Sequence, residues 1–134
     1  MKGYFIHLIT DHYWFKILDS EIFVGEELKD LSDEEQKELY YEETDQIDFN
    51  IYKSEKWREE VWELLEESRS FNYGELLTSQ EITKWKERTF SFFSDDTKEP
   101  QIKPEYITEK VVEKFIERTT IKSKNILKSW ESDT

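Results

Sequence analysis

The residues best able to do chemistry in this 134-residue chain are its carboxylates. Residues 26–48, EELKDLSDEEQKELYYEETDQID, contain eleven Asp and Glu against two Lys. Further along, Glu55, Glu59, Glu63 and Glu67 recur every four residues. Like charges at this spacing destabilise a helix by about 0.2–0.5 kcal/mol per pair. Because the helix gains nothing from such a ladder, we interpret it as a surface for binding another molecule.

The spacing of these carboxylates resembles that of nucleic-acid phosphates. Four helical residues rise about 6 Å, and each strand of a duplex presents a phosphate about every 3.4 Å of axis. The chemistry predicted is therefore recognition of a basic groove that normally holds DNA or RNA. Affinity also needs apolar anchors, and interfaces favour Tyr and Trp. Trp57 is expected to face the core, which makes Trp62 the exposed tryptophan. The predicted partner-binding residues are Glu34, Glu35, Glu38, Glu42, Tyr41, Glu59, Glu63, Glu67 and Trp62.

The competing interpretation is that these residues have no partner. Acidic surfaces keep proteins soluble, and the aromatic residues could complete a core that is poor in aliphatic residues. Three features favour the binding interpretation: the repeated like-charge ladder, the nearby aromatic residues and the uneven distribution of charge. Residues 1–67 hold 20 acids and 7 bases, whereas residues 68–134 hold 12 of each, so the whole net charge of −13 lies in the first half.

Other chemistry finds little support in the residue pattern. The three glycines are far apart, so no phosphate-binding loop can form. His7 and His12 bracket Asp11, and in a hairpin they could hold a metal or act as a base. Two histidines without a ligand spacing favour ordinary strand and turn residues instead. We therefore predict no catalytic residue, no metal site and no cofactor.

Composition predicts one folded domain over residues 1–134. Sixteen per cent of the residues are aromatic, which supplies apolar area for a core. Cysteine is absent, which agrees with a reducing compartment. No apolar run approaches the roughly 18 residues that a membrane span requires, and the short apolar N-terminus is interrupted by His7 and Asp11. We predict a cytoplasmic protein without a membrane segment.

Local patterns predict an α+β fold with a small N-terminal antiparallel sheet of about three strands and about four helices. Aromatic and β-branched runs, or alternation, mark predicted strands at residues 2–10, 12–18 and 46–52. Residues 21–25 could extend the first hairpin or begin a loop. Capping patterns mark helices at Ser32-x-x-Glu35 (to about Glu43), at Ser54 and at Thr78-x-x-Glu81. Residues 94–104 read as a loop. Pro104 would open the last helix, which runs to about Trp130.

These observations lead to a non-enzymatic hypothesis. The protein is predicted to be a small acidic inhibitor that mimics nucleic acid and occupies a basic groove of a partner protein. A phage counter-defence protein, such as an anti-CRISPR, or a toxin-immunity protein would have these properties. One alternative is an adaptor that binds through surface aromatics, and another is a small enzyme or metal protein around His7, Asp11 and His12. Direct nucleic-acid binding is not expected. The last helix carries a basic stripe that could pair with a second copy, so a homodimer remains open; the stripe is Lys110, Lys114, Arg118 and Lys122.

Overall fold

The computed structural model describes residues 2–132, without the side chains of residues 26, 29, 131 and 132. It is helical. The elements are α1 (Lys2–Ile17), α2 (Glu26–Lys29), α3 (Asp33–Ser54), α4 (Arg58–Glu67), α5 (Ser79–Ser94) and α6 (Glu109–Ser132). A π-helical turn at Leu18–Ile22 continues α1, and a 3-10 turn at Asp96–Lys98 follows α5. An isolated bridge between Tyr73 and Leu77 is the only β pairing within residues 2–132.

The predicted α+β fold is therefore wrong, because the described residues contain no sheet. The stretches 2–10 and 12–18 form α1 and the start of the π turn, and 21–25 covers the end of that turn and the residues after it. Half-buried positions on α1 include Phe5, Ile9 and Tyr13, which recur every four residues and mark a helical face. Tyr4, Leu8 and Phe15 are exposed apolar residues on the other side. Since apolar residues surround α1, the usual contrast between an apolar and a polar face is missing.

The predicted strand at residues 46–52 is also wrong, since these residues lie within α3. Ile47 and Phe49 are both buried, at 4% and 0% exposure. Side chains two positions apart on a helix point in nearly opposite directions. This part of α3 is therefore covered on opposite sides, and a helix covered in this way can carry the alternating pattern of a strand.

The chain divides into two compact units, and the prediction of a single domain stays a prediction beside this division. Unit 1 consists of residues 2–43 and 104–132, and unit 2 consists of residues 44–103. In unit 1, α1 packs against α6: the ring centroids of Phe5 and Trp130 are 4.0 Å apart, and those of Trp14 and Phe115 are 4.9 Å apart. The Trp14 indole N–H also donates to the Tyr40 hydroxyl at 3.1 Å.

A buried carboxylate holds the segment before α6 in unit 1. Glu43 is 2% exposed and accepts hydrogen bonds from three consecutive backbone N–H groups, those of Glu105, Tyr106 and Ile107. These three donors lie before α6, which begins at Glu109 rather than at the predicted Pro104. Glu43, one of the eleven carboxylates of residues 26–48, is therefore part of the core rather than of an acidic surface.

Aromatic rings form much of the core of unit 2. Tyr52 on α3 and Trp62 on α4 both contact Phe93 of α5, at centroid distances of 4.8 and 5.5 Å, the Trp62 ring edge-on. Phe49 lies 5.2 Å from Phe92 and 5.4 Å from Phe93. A polar contact also holds the extended segment after the 3-10 turn: the Ile102 N–H donates to the side-chain oxygen of Gln46 at 3.0 Å.

Two of the predicted helix starts are confirmed. Ser32 and Glu35 exchange hydrogen bonds as a capping box at the start of α3. Thr78 and Glu81 do the same at the start of α5. Ser54, in contrast, is the last residue of α3 and caps nothing in α4, which begins at Arg58 without a side-chain cap.

Candidate functional site

The first candidate surface is the outer face of α3 in unit 1. Glu34, Glu38 and Glu42 are exposed and lie about 40° apart around the helix, so they form one continuous stripe. Tyr41 lies beside this stripe and is 52% exposed. No cationic side chain among those described in residues 2–132 lies within 4 Å of these three carboxylates. The structure thus brings four predicted residues together on one helix face; we call this face the α3 acidic face.

Glu35, also predicted as a binding residue, is used locally. Its carboxylate accepts hydrogen bonds from both the backbone N–H and the hydroxyl of Ser32, at 2.8 and 2.7 Å. These two bonds, the backbone one foremost, lower the pKa of Glu35. Glu35 therefore remains ionised and exposed, but its orientation is fixed by the start of α3.

The second candidate surface is the outer face of α4 in unit 2. Glu59, Glu63 and Glu67 are exposed at successive i,i+4 positions, with Glu60 and Glu66 beside them. Glu55 precedes the helix, so it does not extend the ladder. Within the described side chains, the only ion pair on this face joins Glu59 to Arg58 at 3.8 Å. We call this five-residue set the α4 acidic face.

The structure reverses the assignment of the two neighbouring tryptophans. Trp62 is half-buried and lies edge-on to Phe90, at a centroid distance of 5.4 Å, in addition to its contact with Phe93. Trp57, expected in the core, is 48% exposed. Because α4 begins only at Arg58, Trp57 lies at its N-cap and the packed side of the helix carries Trp62 and Leu65 instead. The prediction that Trp62 is the exposed tryptophan is wrong.

The predicted binding residues fall into both compact units. Glu34, Glu35, Glu38, Tyr41 and Glu42 belong to unit 1, and Glu59, Trp62, Glu63 and Glu67 belong to unit 2. We therefore treat the α3 and α4 acidic faces as two separate surfaces. Unit 1, over residues 2–43 and 104–132, has 17 acidic and 10 basic residues and unit 2 has 14 and 9, so both are acidic.

A cavity that the sequence pattern did not reveal adjoins the α3 acidic face. It has a volume of about 420 Å³, and its lining comes from α1, the π turn, the residue after that turn, and the first nine residues of α3. The lining residues are Phe15, Leu18, Asp19, Phe23, Asp33, Gln36, Lys37, Tyr40 and Tyr41. In a helix, Phe15, Asp19 and Phe23 share one side, so this set could have been found had residues 12–25 been read as helical.

His7, Asp11 and His12, which were considered as a site in a hairpin, lie instead on the helix α1. His7 and Asp11 lie one turn apart on α1, with 3.4 Å between Nε2 and Oδ2, and their side chains are 66% and 49% exposed. His12 is also exposed. Across the described residues, no group of three or more His, Asp or Glu side chains is arranged to hold a metal ion.

No helix within residues 2–132 is both long enough and apolar enough to cross a bilayer. Comparison of the chain with protein-family models, with curated proteins and with solved structures finds no match.

Proposed function

We propose that this protein is a small non-enzymatic inhibitor that binds a basic, nucleic-acid-binding surface of another protein in the cytoplasm. The observation that carries this proposal is the α3 acidic face, where Glu34, Glu38 and Glu42 stand exposed around Tyr41. The described lysines and arginines do not neutralise these carboxylates, so their field remains available to a partner.

The charge density supports imitation of a phosphate backbone. On α4, five exposed carboxylates lie between Glu59 and Glu67, a rise of about 12 Å. This corresponds to about one negative charge every 3 Å, close to the 3.4 Å that separates phosphates along one strand. A groove whose Lys and Arg are spaced for nucleic acid would therefore meet a similar charge density here.

Affinity in this proposal depends on both charge and burial. One-sided charge accelerates encounter and makes binding sensitive to salt. Tyr41 offers a half-exposed ring next to the carboxylates, which is the kind of anchor that interfaces bury. Bacteriophage counter-defence and toxin neutralisation are two settings in which such a protein would act.

Capture from a cell lysate on immobilised protein tests the proposal. We expect captured proteins to be nucleic-acid-binding proteins that are displaced by duplex DNA. The double variant Glu38→Lys/Glu42→Lys should lose them. Glu113→Lys/Glu117→Lys is the matched control, because it reverses two exposed carboxylates of the same spacing on α6. Capture that survives the α3 reversal, or resists DNA, would overturn the proposal.

A specific observation also favours the adaptor alternative. Trp57, Val61 and Leu64 lie on one side of α4 and are 48%, 41% and 61% exposed. This apolar stripe borders the α4 acidic face, and exposed apolar residues at helical spacing are a common way of binding a partner helix. An adaptor that uses it would bind almost independently of salt and would be weakened by Trp57→Ala, whereas the inhibitor would keep its salt dependence in that variant.

A further inference from the structure

The cavity beside the α3 acidic face combines two kinds of lining that together favour a cation. Four aromatic residues contribute rings, namely Phe15, Phe23, Tyr40 and Tyr41, and two carboxylates, Asp19 and Asp33, come from separate elements. Aromatic faces attract cations electrostatically within about 6 Å, and carboxylates pair with guanidinium through two parallel hydrogen bonds. An apolar ligand would leave the carboxylates unused, and an anion would be repelled by them.

Several of the lining residues are positioned by hydrogen bonds and ring contacts. Tyr40 receives a hydrogen bond from the Trp14 indole, and its ring lies edge-on to that of Tyr41 with centroids 5.3 Å apart. The backbone of Phe23 is held by the π turn, since its N–H donates to the Leu18 carbonyl at 2.8 Å. The π turn also supplies Leu18, which is 4% exposed, and Asp19. A site whose walls are already positioned loses less entropy on binding.

From this arrangement we infer that the cavity is a binding site for a guanidinium group, and that it receives an arginine side chain of the basic partner. This inference rests on the proposed function for the source of the arginine. Arginine suits the site better than lysine because its planar group can stack on a ring while its edge meets a carboxylate. The cavity would thereby add a specific anchor to the less specific attraction of the α3 acidic face.

Lys37 gives the site an internal test. Its side chain lines the same cavity and is exposed, and no described carboxylate lies within 4 Å of its ammonium group. A bound guanidinium would be repelled by this charge. Replacing Lys37 with Gln should therefore strengthen binding, which a purely structural role of the residue would not produce.

The probe is Nα-acetyl-arginine amide, with Nα-acetyl-citrulline amide as its uncharged counterpart. Titration followed by amide chemical shifts should show saturable changes at Phe15, Asp19, Phe23 and Tyr41 with the arginine probe. For a ligand of this size at ordinary efficiency, the dissociation constant should be on the order of 1 mM. The citrulline probe should be at least about tenfold weaker.

Variants of the protein distinguish binding in the cavity from nonspecific attraction of the cationic probe to an acidic protein. Asp19→Asn/Asp33→Asn should weaken the arginine probe at least about fivefold, and Lys37→Gln should tighten it at least about twofold. Phe15→Leu, at a position that is 59% exposed and thus tolerant of change, should weaken it about threefold. Glu113→Gln/Glu117→Gln removes the same charge from α6 and should leave the constant within twofold.

Several results would overturn the inference. Equal shifts with the arginine and citrulline probes would do so, as would equal constants for the Asp19/Asp33 and Glu113/Glu117 double variants. Shifts spread without saturation over all acidic helices would show only general attraction of cations. Failure of the cavity is distinguishable from failure of the proposed function, because the latter is decided by partner capture with the Glu38/Glu42 reversal.

Discussion

Removal of the Glu43 carboxylate should destabilise unit 1 by an amount that the structure allows us to work out. The carboxylate accepts from the Glu105, Tyr106 and Ile107 N–H groups at 2.6, 3.1 and 2.5 Å. A buried donor left without an acceptor costs about 1–3 kcal/mol. Ile107 is 1% exposed and should bear the full cost. Tyr106 is half-buried and should bear part of it, whereas water can replace the bond to the exposed Glu105.

We therefore expect Glu43→Ala to lower the free energy of unfolding by about 2–4 kcal/mol, a large share of the about 5–15 kcal/mol typical of a domain. Glu43→Gln should cost about half as much, because one carbonyl oxygen remains as an acceptor. Glu42→Ala is the matched control: it removes an exposed carboxylate from the adjacent position of α3 and should change stability by less than about 0.5 kcal/mol.

Urea unfolding followed by circular dichroism measures these differences. Amide hydrogen exchange should in addition show faster exchange at residues 105–107 in Glu43→Ala, since these donors lose their acceptor. If Glu43→Ala and Glu42→Ala unfold at the same urea concentration with the same slope, the carboxylate does not hold the segment before α6 and our reading of the unit 1 core is refuted.

The remaining predictions concern unit 2. Burial, and secondarily the Asp45 carboxylate, raises the pKa of Asp48 to about 6, although its side chain keeps contact with solvent. A raised carboxyl pKa means that stability is lost as pH rises from about 4 to 6. Asp48→Asn should therefore stabilise the protein at pH 7.5, by about 1 kcal/mol after allowance for solvent, and not at pH 4; equal effects in urea titrations at the two pH values would contradict this. Trp62→Ala should lower the free energy of unfolding by about 3–5 kcal/mol, because it removes a ring from the aromatic core. Trp57→Ala should lower it by less than about 1 kcal/mol in the same assay; the reverse order would support the prediction that Trp57 is the buried tryptophan and Trp62 the exposed one. Thr78→Ala should cost about 1 kcal/mol by removing the α5 cap, and Thr78→Ser should restore most of it.

Local hydrogen-bonding patterns were readable from the sequence. The capping boxes at Ser32 and Thr78 depend on residues three positions apart, so no knowledge of the rest of the fold was needed. The ladder of Glu59, Glu63 and Glu67 could also be predicted from the sequence, because its spacing of four residues is local. Glu43, only one position from the exposed Glu42, was not, because its role depends on donors more than sixty residues away.

The fold class was not readable because tertiary packing overrode local preference. Residues 2–17 carry aromatic and β-branched side chains that favour a strand, yet they form α1 and pack on α6. Ile47 and Phe49 alternate as in a strand because α3 is covered on opposite sides there. The cavity of unit 1 depends on α1 continuing into the π turn, so the strand interpretation concealed Phe15, Asp19 and Phe23 as one set.

The most direct test of the central claim measures how binding of a captured partner depends on salt and on the predicted carboxylates. Calorimetric titration at 50 and 200 mM salt should show affinity falling at least about tenfold for the wild-type protein. A variant with Glu38, Glu42, Glu59 and Glu63 all changed to Lys should bind at least about a hundredfold more weakly at 50 mM salt. Binding that is equally tight at both salt concentrations and in the fourfold variant would contradict the account.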